Sequence, residues 1–125
     1  MAHTRGLENQ PGGRTISGVA GANLSKHLLY RIDATSNATI TLAGAGAVDC
    51  GVVRQAALSG QPVTLDCNGV LVVTSGEALA TVGTPVKCDA AGKVVTATAG
   101  TDHIIGVTRT PTASGANELI SITKF

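Results

Sequence analysis

The regular interruption of short aliphatic runs by turn-forming residues is the feature that constrains this chain most. Runs of Val, Ile, Leu and Thr are cut by Gly, Asn, Asp or Ser roughly every eight to twelve residues, a spacing typical of an all-β sandwich or barrel. One segment, Ala20–His27, is a short helical candidate. The runs predict nine strands: Leu28–Asp33, Ala38–Leu42, Gly51–Gln55, Val63–Leu65, Val70–Thr74, Pro85–Cys88, Val94–Thr98, His103–Arg109 and Leu119–Thr123.

The N-terminal residues differ from the rest. Residues 1–15 contain Pro11-Gly12-Gly13 and almost no aliphatic periodicity, so we expect an extended arm that only a partner would order. Residues 16–125 are enough for a single β domain with a hydrophobic core. The candidate partner contacts in the arm are His3, Arg5, Leu7, Glu8 and Arg14.

Two segments that start at Pro62 and Pro85, 23 residues apart, share a Pro-Val start, an Asp-x-x-Gly turn and a closing Val. Asp at the first position of a turn bonds the turn backbone, and Gly at the fourth adopts a positive φ. The sequence therefore predicts two β-hairpins. The turn residues are Asp66 and Gly69 in the first copy and Asp89 and Gly92 in the second.

A second repeat relates Gly51–Gly60 to Gly106–Gly115, 55 residues apart. It predicts a strand, a tight corner at Ser-Gly and a return strand, with Gly60 and Gly115 in the corners. Since the offsets of 23 and 55 residues share no period, duplicated hairpins in one small barrel or sandwich fit better than a solenoid. Arg54 and Arg109 occupy the same position in the two copies. They are candidates for a subunit interface, with a solvated strand face as the alternative.

Composition excludes several classes of function. The net charge is +1 and aromatic residues make up 2% of the chain, which argues against nucleic-acid binding by charge or by base stacking. No apolar run is long enough to span a membrane, and the first residues lack the apolar region of a secretory signal. We therefore expect no nucleic-acid and no membrane partner.

The three cysteines lie at positions 50, 67 and 88. No C-x-x-C pair is present, which argues against a structural zinc site, and an odd count fits reduced thiols. Cys50 and Cys88 align with aliphatic positions of the repeats, so burial is expected for both. Cys67 lies in the first predicted turn and is expected to be exposed.

No catalytic constellation stands out in the sequence. Asp102 and His103 are adjacent, so on a strand their side chains point to opposite faces and cannot form an orienting pair. The Gly-rich stretch Ala43–Ala47 lacks the Lys-Ser/Thr and the following helix of a phosphate loop. The chain is therefore predicted not to be an enzyme, and to need no cofactor, metal or small-molecule substrate.

Two other binding functions remain as alternatives. Lys87 is similar to the modified lysine of biotinyl and lipoyl carrier domains, which are small duplicated β-sandwiches, although it precedes the Asp89 turn instead of occupying its tip. A carbohydrate-binding β-domain would need aromatic platforms, for which only Tyr30 and Phe125 are available.

The C-terminal part resembles the decoration, or cement, proteins of tailed-bacteriophage capsids. The resemblance covers about residues 48–125 and is carried by Gly83–Gly100, the Ile104-Ile-Gly-Val strand, the Ala113-Ser-Gly corner and the closing strand Leu119–Thr123. It implies a small β-barrel on the outer surface of an icosahedral head, without catalytic residues.

The same resemblance implies the partners. They are the major capsid protein and other copies of the chain, which would cluster as trimers at local threefold positions, with dimers as the alternative. The protein would stabilise the shell against internal DNA pressure. It would be located in the virion, on the outer capsid surface, after assembly in the bacterial host cytoplasm.

Overall fold

The computed structural model describes residues 9–33, 36–47, 50–109 and 112–125, with the backbone only at residues 36–38. These residues form β-strands and no helix, and each of the nine predicted strands overlaps an observed one. The all-β class is confirmed. The strands are β1 (Gln10–Pro11), β2 (Thr15–Ala20), β3 (Tyr30–Asp33), β4 (Ser36–Leu42), β5 (Val52–Val53), β6 (Pro62–Asp66), β7 (Gly69–Thr74), β8 (Pro85–Cys88), β9 (Val94–Thr96), β10 (Gly106–Arg109) and β11 (Leu119–Lys124).

The helical prediction for Ala20–His27 is wrong. The segment consists of bends and turns, and Leu24 forms an isolated antiparallel bridge with Ala57. The backbone groups of these two residues exchange hydrogen bonds of 2.7 and 3.1 Å. Because Leu24 is also almost fully buried, its core contact and its bridge favour an extended backbone over a helical turn.

Ten of the strands form two five-stranded units that share the same cyclic order of neighbouring strands but are opened between different strands. In the first unit, β3-β4-β2-β6-β5 are neighbours, and the bridge between Tyr30 and Gly51 joins the two outer strands. In the second unit the order is β9-β8-β10-β11-β7, closed by the parallel bridge between Ser75 and Val94. β1 is added to the second unit, beside β7. Each unit is thus a small, nearly closed barrel.

The two units are structural repeats related by about 55 residues. β2 corresponds to β7, β3 to β8, β4 to β9, β5 to β10 and β6 to β11. The isolated bridges repeat as well, since Leu79 bridges Ala113 as Leu24 bridges Ala57. The repeat that the sequence shows at Gly51 and Gly106 is therefore the most visible part of a duplication of the whole unit. The prediction of one barrel with duplicated hairpins describes only part of this duplication.

Each unit contributes a hydrophobic core. The second core also receives residues of the first unit, so the units pack against each other over apolar surface. The first core contains Ala20, Leu24, Tyr30, Ile40, Val53, Ala57, Val63, Leu65 and Cys67. The second contains Leu71, Val73, Leu79, Val86, Cys88, Val94, Ile105, Ala113, Ile120 and Ile122, together with Leu29, Ala43, Cys50 and Val52 of the first unit.

One of the two predicted hairpins is wrong. β6 pairs with β2 and β5, whereas β7 pairs with β1 and β11, so the chain passes from one unit to the other between Asp66 and Gly69. Asp66 is the last residue of β6 and is 2% exposed. Its carboxylate bonds Arg54 and not the backbone of its own turn. The local Asp-x-x-Gly motif is overridden here by pairing with distant strands.

The second predicted hairpin is present. β8 pairs with β9, and the Oδ1 atom of Asp89 accepts hydrogen bonds from the backbone N–H groups of Ala91 and Lys93, both at 2.9 Å. Gly92 has a φ of 76° and packs against the Leu29 backbone, where a Cβ would collide. The side-chain oxygen and the glycine therefore have the roles that the motif predicts.

We expect Asp89→Ala to lower the free energy of unfolding by about 1–2 kcal/mol, because two backbone donors lose a charged acceptor. Asp89→Asn retains an acceptor oxygen and should lose less than half as much. Urea unfolding of the three proteins measures the effect. An Asp89→Ala protein as stable as the original would show that this turn needs no side-chain acceptor.

The second half of the predicted arm is integrated into the sheets. β1 pairs with β7, the N–H of Gly12 donates to the carbonyl of Asn68 at 2.9 Å, and the N–H of Val72 donates to Asn9 Oδ1 at 2.8 Å. β2 begins at Thr15. Within the described residues, therefore, the part of the arm from Asn9 onward belongs to the β fold.

Candidate partner-binding surface

An open groove of about 680 Å³ lies on the first unit. Its floor is the β2–β6 strand pair and its wall is the loop that follows β5. The side chains of Ser17 and Thr64 lie side by side on this floor, with 3.4 Å between their hydroxyl oxygens. The lining residues are Ser17, Gly18, Arg54, Gln55, Ala56, Ala57, Gln61, Pro62, Val63 and Thr64. They are mostly small or polar, and Arg54 is the one charged residue among them.

Arg54 stands at the edge of this groove. Its Nε donates to Asp66 Oδ1 at 3.0 Å, and the side chain of Arg54 is 56% exposed whereas that of Asp66 is 2% exposed. The backbone N–H of Arg54 also donates to the Thr64 carbonyl. Arg54 therefore neutralises a buried carboxylate while presenting part of its guanidinium to the groove.

Arg109 occupies the equivalent position of the second unit. Its Nη1 faces Thr123 Oγ1 at 3.4 Å, and Thr123 corresponds to Asp66 in the strand register. The duplication has thus kept both arginines over the same neighbouring strand, but only the first has a carboxylate there. The structure places the two on different units and does not bring them together.

The candidate contacts of the arm divide into two groups. Arg14 is exposed and directly precedes β2. Its backbone N–H donates to Asn68 Oδ1, and its carbonyl accepts from Cys67 N–H. The other four, His3, Arg5, Leu7 and Glu8, lie outside the described residues.

The remaining turn residues support the scaffold. Gly69 has a φ of 97° and lies so close to the β1 backbone that no side chain fits. Gly60 has a φ of 88° in the loop beside the groove. The carbonyl of Gly115 accepts from the Ser75 hydroxyl at 2.8 Å and thereby ties the corner before β11 to the end of β7.

Lys87 lies on β8 and not at a hairpin tip, and its Nζ is 3.1 Å from Asp102 Oδ1. The backbone N–H of Thr98 and the Lys87 ammonium hold the pKa of Asp102 below its ordinary value. Bonds from Ser114 lower the pKa of Glu118 in the same way. These carboxylates are thus ionised hydrogen-bond acceptors near neutral pH, which suits scaffold contacts and not proton transfer.

The described residues contain no cluster of three or more His, Cys, Asp or Glu side chains that could hold a metal ion. In the same part of the chain, no helix is long and apolar enough to cross a membrane.

His27 lies at the contact between the two units. It has a φ of 71°, and its backbone carbonyl accepts hydrogen bonds from the N–H and the hydroxyl of Thr74. It therefore connects the two units.

All three thiols are buried and form no disulfide. Burial of Cys50 and Cys88 is confirmed, whereas the expected exposure of Cys67 is wrong, because the crossing between β6 and β7 turns this residue into the first core. Burial, chiefly, raises the pKa of Cys88 to about 12. A thiol protonated to this degree is a poor nucleophile at neutral pH.

We therefore expect the native chain to react with a thiol-specific reagent at pH 8 at less than about a hundredth of the rate of a small free thiol. Full denaturation should release all three thiols to the reagent. The absorbance of the released chromophore follows both reactions. Rapid labelling of one native thiol would contradict the burial of Cys67.

Sequence reasoning missed the exposed side of β2. The alternation of Ile16, Gly18 and Ala20 toward the interior with Thr15 and Ser17 toward solvent is the available signal. It is weak because two of the three inward residues are small. This strand forms part of the groove floor and, within the described residues, has one edge unpaired along its first half.

This architecture is a duplicated β-sheet scaffold. A family model described as phage cement protein matches residues 10–123, and the chain belongs to that family. It is a structural protein of the phage virion and is located at the capsid.

Solved structures add an independent finding on the fold. The N base of the head fiber gp8.5 in bacteriophage phi29 is similar over 90% of this chain and 93% of that chain, with a TM-score of 0.70 and 14% identity. At this identity the likeness concerns the fold. The comparison with curated proteins gave no match.

Proposed function

We propose that this protein binds the outer surface of an icosahedral phage head and stabilises the shell by bridging major capsid subunits. The observation that carries the proposal is the cement-family match, which extends over both structural units. The duplicated architecture supports bridging, because one chain presents two similar units that can contact two neighbouring subunits. The shared apolar core connects the units, so force on one is transmitted to the other.

The energetic basis of the proposal is linkage. A protein that binds the assembled shell, and not its dissociated subunits, stabilises the shell by an amount that grows with its free concentration. Many copies on one shell add their contributions, so modest affinity per copy is sufficient. Trimers at local threefold positions would increase the effective concentration further. Dimers remain the alternative, and light scattering distinguishes the two states.

The N-terminal residues are proposed to contact the capsid. Since the fold already includes the chain from Asn9 onward, we assign this role to residues 1–8, with His3, Arg5, Leu7 and Glu8, and to Arg14 at the start of β2. Arg54 and Arg109 are proposed to contact neighbouring subunits. Assembly would take place in the host cytoplasm, and the mature location would be the outer capsid surface.

We expect the purified chain to bind undecorated heads of its own phage saturably, with a fixed copy number per shell. Deletion of residues 2–8 should lower the head affinity at least tenfold, and urea unfolding of the truncated and intact chains compares their stabilities. Size-exclusion chromatography with light scattering gives the copy number. Full-affinity binding of the truncated chain would refute the arm assignment. Failure of the intact chain to bind heads would refute the proposed function.

The deletion boundary matters for this test. Removing residues 2–13 also removes β1 and its bonds to β7. Such a chain is expected to be less stable, so loss of binding would have two causes. Deletion of residues 2–8 retains Asn9 and β1 and avoids this ambiguity.

A further inference from the structure

The contact between the two units uses the outer face of the first unit. Leu29 and Val52 belong to the second hydrophobic core, whereas the next residues along the chain, Tyr30 and Val53, belong to the first. Because side chains alternate along extended backbone, Leu29 and Val52 point out of their own barrel and into the other unit. They are 0% and 1% exposed. The first unit thus covers the core of the second with these two side chains.

The second unit carries an equivalent apolar pair on its own outer face. The 55-residue repeat makes Val107 the counterpart of Val52. Pro85 is the counterpart of Leu29, because the carbonyl of each accepts from an alanine N–H, at 2.9 and 3.0 Å respectively. Pro85 and Val107 are partners in the pairing of β8 with β10. In contrast to their buried counterparts, both are only half-buried. We refer to Pro85 and Val107 as the outer pair.

The first barrel is less covered than the second at corresponding positions. By the strand register, Ile16 corresponds to Leu71 and Ile32 to Cys88. Leu71 and Cys88 are 0% exposed and share their core with the two side chains that the first unit contributes. Ile16 and Ile32 pack at the margin of the first core and are half-buried. These two residues form what we call the mouth of the first barrel.

From this comparison we propose that copies of the chain bind one another head to tail, with the outer pair of one copy packed into the mouth of the next. The contact within the chain identifies the occupant, because a face equivalent to the outer pair already covers the equivalent part of the second barrel. The inference rests on the self-association within the proposed function and names the surfaces that produce it.

The two surfaces differ, so the contact between copies is heterologous and leads to a closed ring or to a longer row of copies. Each chain has two similar units. A trimer closed in this way is therefore a ring of six units, in which contacts within and between chains alternate.

The contact between copies is expected to be weaker than the contact within the chain. The N–H of Leu29 donates to the Gly92 carbonyl at 2.8 Å, and Pro85 has no N–H for an equivalent bond. The covalent connection between β6 and β7 also gives the two units of one chain a high effective concentration. We therefore expect the mass of the free protein to rise with its concentration.

Two lysine substitutions test the two surfaces separately. Val107→Lys alters the outer pair and Ile16→Lys alters the mouth. In a single chain the lysine stem can lie along the apolar surface while its ammonium group stays in water, so both variants are expected to fold. Between copies the same ammonium group would be buried without an anion, which blocks the contact. Leu58→Lys is the matched control, since it adds the same charge at a residue that is 61% exposed, in the loop next to the end of β2.

Size-exclusion chromatography with light scattering measures the mass of each protein over a range of concentrations. We expect the unmodified chain and Leu58→Lys to associate at concentrations that agree within twofold. Val107→Lys and Ile16→Lys should each need a concentration at least tenfold higher. An equimolar mixture of these two variants should form a pair of two chains that does not grow, because each supplies the surface that the other lacks.

Three results would overturn the inference: an unmodified chain with the mass of one copy at every concentration, unchanged association of a folded Val107→Lys chain, or a mixture that associates no more than its components. Urea unfolding verifies that each variant is folded. Pro85→Lys and Ile32→Lys repeat the two tests should a first variant not fold.

Head binding is measured separately and distinguishes this failure from failure of the proposed function. A chain that stays monomeric but binds undecorated heads would overturn the head-to-tail contact and leave the capsid-binding role intact. A chain that associates as described but does not bind heads would overturn the capsid-binding role and leave the contact between copies intact.

Discussion

Gly106→Ala is expected to lower the free energy of unfolding by about 3 kcal/mol or more and the melting temperature by roughly 10 °C. A Cβ at this position would lie far inside van der Waals contact of the Thr123 carbonyl oxygen. The colliding atom belongs to the backbone of β11, which is paired on both sides and cannot move without loss of ladder bonds. The strain therefore remains in the folded state.

Gly44→Ala is the control for this substitution. A Cβ at Gly44 meets no atom within 4 Å, and neither glycine has a positive φ, so the two variants differ in the collision alone. Gly51→Ala repeats the test in the first unit, where the Cβ would collide with the Asp66 carbonyl. Thermal and urea unfolding measure all three. Equal stabilities of the Gly106 and Gly44 variants would contradict the close strand approach that defines both units.

Arg54→Ala is expected to lower the free energy of unfolding by about 2 kcal/mol, whereas Arg109→Ala should lower it by about 0.5 kcal/mol or less. The first substitution leaves the carboxylate of Asp66 buried without its cation. The second removes a contact of 3.4 Å with a hydroxyl group at the equivalent position. The value for Arg54 is below that of a fully buried pair because water reaches its exposed guanidinium.

The double variant Arg54→Ala/Asp66→Asn tests the cause. If the loss comes from the uncompensated charge, replacing Asp66 by its neutral isostere should recover more than half of it. Urea unfolding of the single and double variants gives the coupling energy. Equal losses for Arg54→Ala and Arg109→Ala would contradict the assignment of different roles to the two arginines.

The strands were predictable because their signal is local. Apolar alternation and turn residues are read directly from segments such as Val70–Thr74 and Pro85–Cys88, and both form strands at the predicted positions. β2 was less accessible to this reasoning, since Gly18 and Ala20 give its inward face a weak apolar signal. β1 contains two residues and depends on its pairing with β7.

Strand partners were not predictable from local motifs. Asp66 and Asp89 begin the same Asp-x-x-Gly pattern, yet one ends a strand where the chain crosses between units and the other closes a hairpin. The difference arises because β6 pairs with β2 and β5 and not with β7, the partner that the local motif predicts. The burial of Cys67 has the same origin, because the crossing between β6 and β7 turns its side chain into the first core.

The candidate surface was only partly predictable. The 55-residue repeat identified Arg54 and Arg109 as equivalent, but no local pattern indicated that Asp66 would face the first and Thr123 the second. The outer pair and the mouth become visible only when the two units are compared strand by strand. The duplication is thus the main source of functional information in this chain.

Shell stability is the most direct test of the central claim. Undecorated heads are heated with and without a saturating amount of the protein, and shell disruption is followed by light scattering or release of packaged DNA. We predict that saturation raises the disruption temperature, and that the increase grows with the free concentration of the protein. Heads that bind the protein at a fixed copy number but break at an unchanged temperature would contradict a stabilising role.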